Sequence, residues 1–174
     1  MAIVYLGVGS NQQAERNITD GLRVLSAKLQ LEKISPWYRS PAMGFDGPAF
    51  INLVVKVSTD LSLPQLGRVL KQLELDFGRA PDAVKFSSRT LDVDVLLYDD
   101  LVGQYEGHSL PRGDIRRCAF VLRPLLDIEP ELSCPSSLQR FDSFWPALAS
   151  QPLEQIVPPA DFDFQVAYCK QQPA

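Results

Sequence analysis

The sequence predicts an α+β fold of ferredoxin-like type, a βαββαβ order that builds a four-stranded antiparallel sheet with both helices on one face. Two observations carry this reading. Runs of strand-type and helix-type apolar periodicity alternate from Ile3 to Tyr98, and turn or cap residues stand at the junctions between them. A length of 174 residues with 45% hydrophobic content is long enough for one well-buried core and short for two domains. Residues 1–174 are therefore expected to form a single domain, with the core at about 2–135 and a peripheral C-terminal segment at about 146–174.

Each element has its own local reason. Ile3 to Val8 is a compact apolar run with no basic leader before it, so it reads as a buried first strand and not as a signal peptide. Gly9-Ser10-Asn11 offers a turn and a helix cap, after which Ile18, Leu22, Leu25 and Leu29 recur at the spacing of an amphipathic helix. Leu31 to Tyr38 is the second expected strand. The Ser40–Pro48 stretch is rich in proline and glycine and reads as loop, and Phe50 to Ser58 returns to strand alternation. Ser62-Leu63-Pro64 opens a second helix with apolar positions Leu66, Val69, Leu70, Leu73 and Phe77, stopped by Gly78. Leu91 to Tyr98 closes the core. Beyond it, Pro111, Pro124, Pro130 and Pro135 suggest loops, short helices and an extra hairpin, and the apolar pattern weakens after about Pro146.

The last core strand carries the chemistry. Along Leu91-Asp92-Val93-Asp94-Val95, side chains alternate, so Asp92 and Asp94 share one face roughly 6.6 Å apart while the apolar residues take the other. Aspartate is a poor strand former, and like charges this close raise each other's pKa unless a cation neutralises them, for which Mg²⁺ is the usual hard-oxygen choice. The competing reading is a half-exposed strand with its acidic face in water. The apolar continuation through Leu96 and Leu97, with Arg89 just before, favours the metal. Arginine and lysine also gather on both sides, as Arg79, Lys85 and Arg89 before the strand and Arg112, Arg116, Arg117 and Arg123 after it. A metal-bound polyphosphate needs such flanks.

Composition excludes several alternatives. A net charge of −4 with no long basic block argues against a general nucleic-acid binder or a partner for acidic membranes, and no run approaches membrane-spanning length. Cys118, Cys134 and Cys169 are odd in number and form no CxxC pair, so they read as reduced thiols of a cytoplasmic protein. His108 lies in a Gly-rich turn with no Ser, Cys or second His beside it. It gives no support to a triad or a His-based zinc site and reads as a surface loop residue.

Six blocks together resemble the 6-hydroxymethyl-7,8-dihydropterin pyrophosphokinase family: Gly7-Val8-Gly9-Ser10-Asn11, Tyr38-Arg39-Ser40-Pro41, Phe50-Ile51-Asn52, Leu73 to Arg79, Arg89 to Tyr98 and Phe120 to Ile128. Their shared order over about residues 2–135 is far more specific than any one block. The resemblance implies a ferredoxin-like core and a reaction that moves a pyrophosphoryl group from ATP to the hydroxymethyl of the pterin, releasing AMP in folate biosynthesis. It implies that Asp92 and Asp94 hold two Mg²⁺ ions, with ATP as co-substrate and Arg89 beside the reacting centre. Ser40, Pro41, Met43, Phe50, Asn52 and Phe120 match pterin-binding positions. Glu74, Arg79, Arg89, Arg112 and Arg117 fall to the ATP side. A monomer with small-molecule substrates and no nucleic-acid or membrane partner is expected.

The departures from the family pattern lie on the phosphate side. After Leu110-Pro111 the family usually has a phosphate-binding histidine, where this chain has Arg112-Gly113-Asp114. Its usual arginine two residues before the matched Phe120 is Cys118 here, with Arg117 adjacent. The loop Ala80-Pro81-Asp82-Ala83-Val84 lacks the family's extra basic residues, and the tryptophan that commonly closes over the pterin is represented at best by Phe86. Two readings stay open: a working pyrophosphokinase with an altered phosphate clamp, and a catalytically weak or inactive paralogue that binds pterin or nucleotide as a sensor or partner module. Retention of both aspartates favours the first, since without turnover a buried acid pair is only a burden.

Overall fold

The computed structural model describes residues 1–78 and 90–163 and the backbone of 167–168. In chain order the elements are β1 (Ala2–Ser10), α1 (Ala14–Lys28), β2 (Gln30–Ile34), β3 (Trp37–Ser40), β4 (Phe50–Thr59), α2 (Leu63–Asp76), β5 (Asp92–Tyr98), the hairpin β6 (Gly103–Tyr105) and β7 (His108–Leu110), α3 (Asp114–Arg117), α4 (Ala119–Ile128), α5 (Trp145–Leu148), β8 (Glu154–Ile156) and β9 (Ala167–Tyr168).

The expected four antiparallel strands are present, in the order β5-β1-β4-β2, but the sheet is larger than four. Seven strands belong to it: β9 pairs in parallel with β2, β3 pairs with β4, and β8 pairs with β3. The reason lies at Ser35-Pro36. Pro36 has no N–H to continue a ladder, so the single strand expected over Leu31–Tyr38 divides into β2 and β3. The Ser35 hydroxyl fills the gap by accepting the Val54 N–H at 2.9 Å. Ten-residue β4 pairs with both pieces, Gln30 opposite Ser58 at one end and Ser40 opposite Phe50 at the other.

Helices α1 and α2 cover one face, as the periodicity predicts. Ile18, Leu22 and Leu25 of α1 and Leu66, Leu70 and Leu73 of α2 bury against Val4, Leu6 and Val8, Leu53, Val55 and Val57, and Val93 and Val95. A capping box starts α2: the Ser62 hydroxyl accepts the Gln65 N–H, and the Gln65 side chain accepts the Ser62 N–H. The opposite face is closed by α3 and α4, which bury Ile115, Leu122 and Leu125 with Phe141 against Tyr5, Val54 and Leu96. The sheet is thus a shared wall between two cores. The functional residues lie where the second core gives way.

Candidate active site

Cross-strand register assembles the centre of the site. Gly9 of β1 stands opposite Asp92 on one side and Asn52 on the other, and Gly7 stands opposite Asp94 and Val54. Pleating sends Val8 and Val93 into the α1/α2 core, so Gly7, Gly9, Asp92, Asp94 and Asn52 face α4, as alternation predicts for the two aspartates. Gly9 and Ser10 continue β1, and the cap position of α1 is Gln13, not the turn and cap read at Gly9-Ser10-Asn11. Side chains at the two glycines would fill the space. A Cβ at Gly9 would collide with Asn52 Oδ1, and one at Gly7 would touch Leu96 Cδ2 at 3.4 Å. With bare backbone there, a cavity of about 50 Å³ remains, bounded by both aspartates, Asn52, Arg112 and Phe120 of α4.

Charge in this cavity is finely opposed. Burial and the neighbouring Asp92 charge push the Asp94 carboxyl up to about 7, against the pull of Arg112. The Arg112 backbone is moored to the sheet, its N–H donating to Leu96 O at 2.9 Å. Its guanidinium then reaches Asp94 at 3.6 Å and Asp114 at 2.9 Å. Sequence reasoning did not foresee Asp114 as the residue that aims Arg112. Arg117 is mostly exposed, at 74%, and pairs with Asp114 at 3.6 Å instead of entering the cavity. Cys118, at the position where an arginine was expected, is buried, and that burial together with Asp114 raises its thiol to about 11. It carries no charge there.

A groove of about 510 Å³ adjoins the cavity, formed by α2, the open edge of β5 and the β6–β7 hairpin, and Asp94 and Arg112 line both spaces. Glu74 lies in the groove wall, its carboxylate accepting the Val93 N–H at 2.9 Å. His108 corrects the sequence reading: it is a half-buried residue of β7 lining this groove, not a surface loop residue. The signal was available in the Gly107 turn followed by His108-Ser109-Leu110, a strand too short to register as periodicity.

Other expected positions fall nearby. Ser40 and Pro41 line a separate cavity of about 540 Å³ with Phe45 and residues 152–154. Phe50 meets Phe45 edge-on at 6.2 Å, and Met43 is exposed. Arg79 and Arg89, with the loop from Ala80 to Phe86, lie outside the described residues. Among the described residues no group of three or more His, Cys, Asp or Glu side chains could hold a metal ion, so the aspartates supply at most part of a coordination sphere. No helix among the described residues is long and apolar enough to cross a membrane.

A family model described as 7,8-dihydro-6-hydroxymethylpterin-pyrophosphokinase matches residues 5–130. The 2-amino-4-hydroxy-6-hydroxymethyldihydropteridine pyrophosphokinase of Aquifex aeolicus is 34% identical over 154 residues, covering 87% of this chain and 96% of that protein. The Haemophilus influenzae protein of the same name is 32% identical, covering 79% and 88%. Among solved structures, a wild-type HPPK-DHPS from Plasmodium falciparum superposes with a TM-score of 0.63 at 13% identity, a likeness of fold. It covers 84% of this chain, which spans 43% of that longer one.

Proposed function

Because the chain belongs to the 7,8-dihydro-6-hydroxymethylpterin-pyrophosphokinase family, we propose that it transfers a pyrophosphoryl group from ATP to the hydroxymethyl of 6-hydroxymethyl-7,8-dihydropterin in folate synthesis. In that transfer the pterin hydroxyl gives up its proton to water and its oxygen bonds to the β-phosphorus. The bond from the β-phosphorus to the oxygen bridging it to the α-phosphorus breaks, and AMP leaves with that oxygen. The observation that carries the reading is the cavity in which Asp92 and Asp94 face two bare glycines beside Asn52 and Phe120 and open on a groove long enough for a nucleotide.

The donor set fits magnesium. Two carboxylates, with no third His, Cys, Asp or Glu grouped with them among the described residues, suit an ion that keeps waters and takes its remaining oxygens from phosphate. Asp92 and Asp94 would hold two Mg²⁺ ions, which when bound neutralise phosphate charge and acidify the pterin hydroxyl. The chain's own residues do the rest. Arg112, paired in this structure with Asp94 and Asp114, is within reach of a phosphate placed at the mouth of the groove, and its charge persists across the working pH range. Asn52 offers donors and an acceptor to a heterocycle edge, and Phe120 offers a ring face. A cavity of about 50 Å³ is smaller than a bicyclic ring requires, so the Phe120 side or the Ser40–Phe50 segment has to shift to admit the pterin. Ser40, Pro41, Met43 and Phe50 belong to or border that segment, which is consistent with a pterin-binding role. Arg79, Arg89 and Arg117 remain assigned to the ATP side by family resemblance, Glu74 by its place in the groove.

A single domain is supported by both cores sharing one sheet, and a reducing, cytoplasmic setting by the free thiols of Cys118 and Cys134. The deciding experiment incubates the protein with ATP, Mg²⁺ and the pterin and measures AMP. Stoichiometric AMP with pterin diphosphate supports the enzyme. Binding of pterin or nucleotide without AMP supports the paralogue reading, which the Arg112–Asp94 ion pair favours by giving the acid an internal counter-ion.

A further inference from the structure

His108 is a flat polar group in the groove that the reaction as described leaves without a task. Its imidazole lies against α2 at Gly67, where an added Cβ would approach Nε2 to 2.8 Å. Glycine inside a helix is normally a poor choice, and here it leaves the ring a seat on the helix backbone. The groove has two ends. Asp94 and Arg112 mark one, and Pro64, Gly67 and Arg68 mark the other. With Asp92 and Asp94 holding its metal ions, a triphosphate would put its phosphates beside Asp94 and Arg112, leaving the N-terminal half of α2, where Pro64, Gly67 and Arg68 line the groove, for its nucleoside. His108 is poorly suited to a phosphate, because burial and the Arg112 charge hold its imidazole below the ordinary histidine range. Near pH 7 it is a neutral ring with one N–H, one lone pair and an aromatic face. Those are the features that recognise a purine.

Resting on the pyrophosphokinase reading above, we propose that His108 contacts the purine base of the nucleotide and sets its specificity, and that Gly67 is the position that permits it. The contact is of hydrogen-bonding or stacking strength, so its loss shows in affinity and leaves the chemical step alone.

The test compares wild type with His108→Ala, His108→Gln, Gly67→Ala and the Gly67→Ala/His108→Ala double variant, using calorimetric titration of Mg-ATP and Mg-GTP alongside KM and kcat. His108→Ala is expected to weaken Mg-ATP binding and raise KM for ATP by about five- to tenfold, to leave kcat and the pterin KM within about twofold, and to narrow the preference for ATP over GTP. His108→Gln, which keeps a donor and an acceptor, recovers part of the loss. Gly67→Ala displaces the ring and reproduces the loss in the wild-type background while adding nothing to His108→Ala. ATP affinity and the ATP-to-GTP ratio both within twofold of wild type in His108→Ala overturn the proposal. Equal losses from Gly67→Ala in both backgrounds overturn the seat. An active wild type with an unaffected His108→Ala removes this inference alone, whereas a wild type that binds neither nucleotide removes the pyrophosphokinase reading with it.

Discussion

At Asp94 the site's requirements run against stability, and the sign of the conflict gives a pH prediction. Its carboxyl titrates at about 7 in the folded chain against 3.8 for the free group. Between those values the native state keeps a proton that the unfolded chain has released, so this group makes stability fall as pH rises through that window. The side chain is 34% exposed, so solvent screening tempers the size but not the direction. Asp94→Asn removes the titration. Melting temperatures in metal-free buffer from pH 5 to 8 are expected to fall less steeply in the variant than in wild type, and turnover in the same variant to drop by on the order of a hundredfold or more. An unchanged slope would mean that Asp94 ionises normally. Arg112 makes the complementary prediction. Arg112→Ala lowers Mg-ATP affinity, and Arg112→His restores part of it at pH 6 but loses it toward pH 8, because neutral imidazole is a weaker phosphate partner than imidazolium. Calorimetry at the two pH values separates these outcomes.

Strand register, not any one side chain, puts Asp92, Gly9 and Asn52 in a row, and Gly9 is where that arrangement is most easily disturbed. In Gly9→Ala the new methyl pushes aside the far end of the Asn52 amide, so pterin affinity is expected to drop by about 1–3 kcal/mol while the melting temperature changes by only a few degrees. Asn52→Ala is expected to lose a similar amount, and the double variant little more than either alone. Intact pterin binding in Gly9→Ala would show that Asn52 does not face the ligand. The shared face of the acidic pair was legible in the sequence because a period of two residues dictates the face each side chain takes, whereas Gly9, read as part of a turn, was not foreseen as lining the cavity. The break at Ser35-Pro36 was passed over although Pro36, with no N–H to continue a ladder, stands in the sequence, because Ile34 and the Trp37-Tyr38 pair on either side made residues 31–38 read as one strand. Helix α4 was obscured by Pro124, which normally counts against a helix interior by about 3 kcal/mol. Burial of Val121, Leu122, Leu125 and Leu126 offsets that penalty. Asp114 was not legible, since it acts through a contact that a linear pattern does not encode, and for His108 the Gly107 turn hinted at the hairpin but not at the groove that the ring lines.

Across the whole molecule, one sheet carries two cores, and a small polar network ties the α4 layer to it. The Tyr38 hydroxyl on β3 donates to Asp127 of α4, whose other oxygen accepts from Arg123 Nε at 3.2 Å, while the Arg123 guanidinium lies over the Trp145 ring at 4.9 Å. The Asp127 side chain is 6% exposed, so truncating it strands the buried Tyr38 hydroxyl and removes the partner of the half-buried Arg123. Asp127→Ala is expected to lower unfolding free energy in urea by about 2–4 kcal/mol and, because α4 carries Phe120, to weaken pterin binding as well. A loss below 0.5 kcal/mol would mean that apolar contacts alone hold the layer. At the far side of the sheet, β5 is an edge strand. Exposed edges invite strand addition by neighbouring molecules, the first step toward aggregation. Two groups that border the groove between α2 and the β6–β7 hairpin block that docking here: Glu74 occupies the Val93 N–H and the Arg112 amide occupies Leu96 O. Glu74→Ala therefore reaches beyond nucleotide binding. It is expected to form concentration-dependent oligomers in light scattering, while Glu74→Gln, whose amide oxygen can still accept, stays dispersed, so the side chain proposed for the ATP side would also guard the sheet edge.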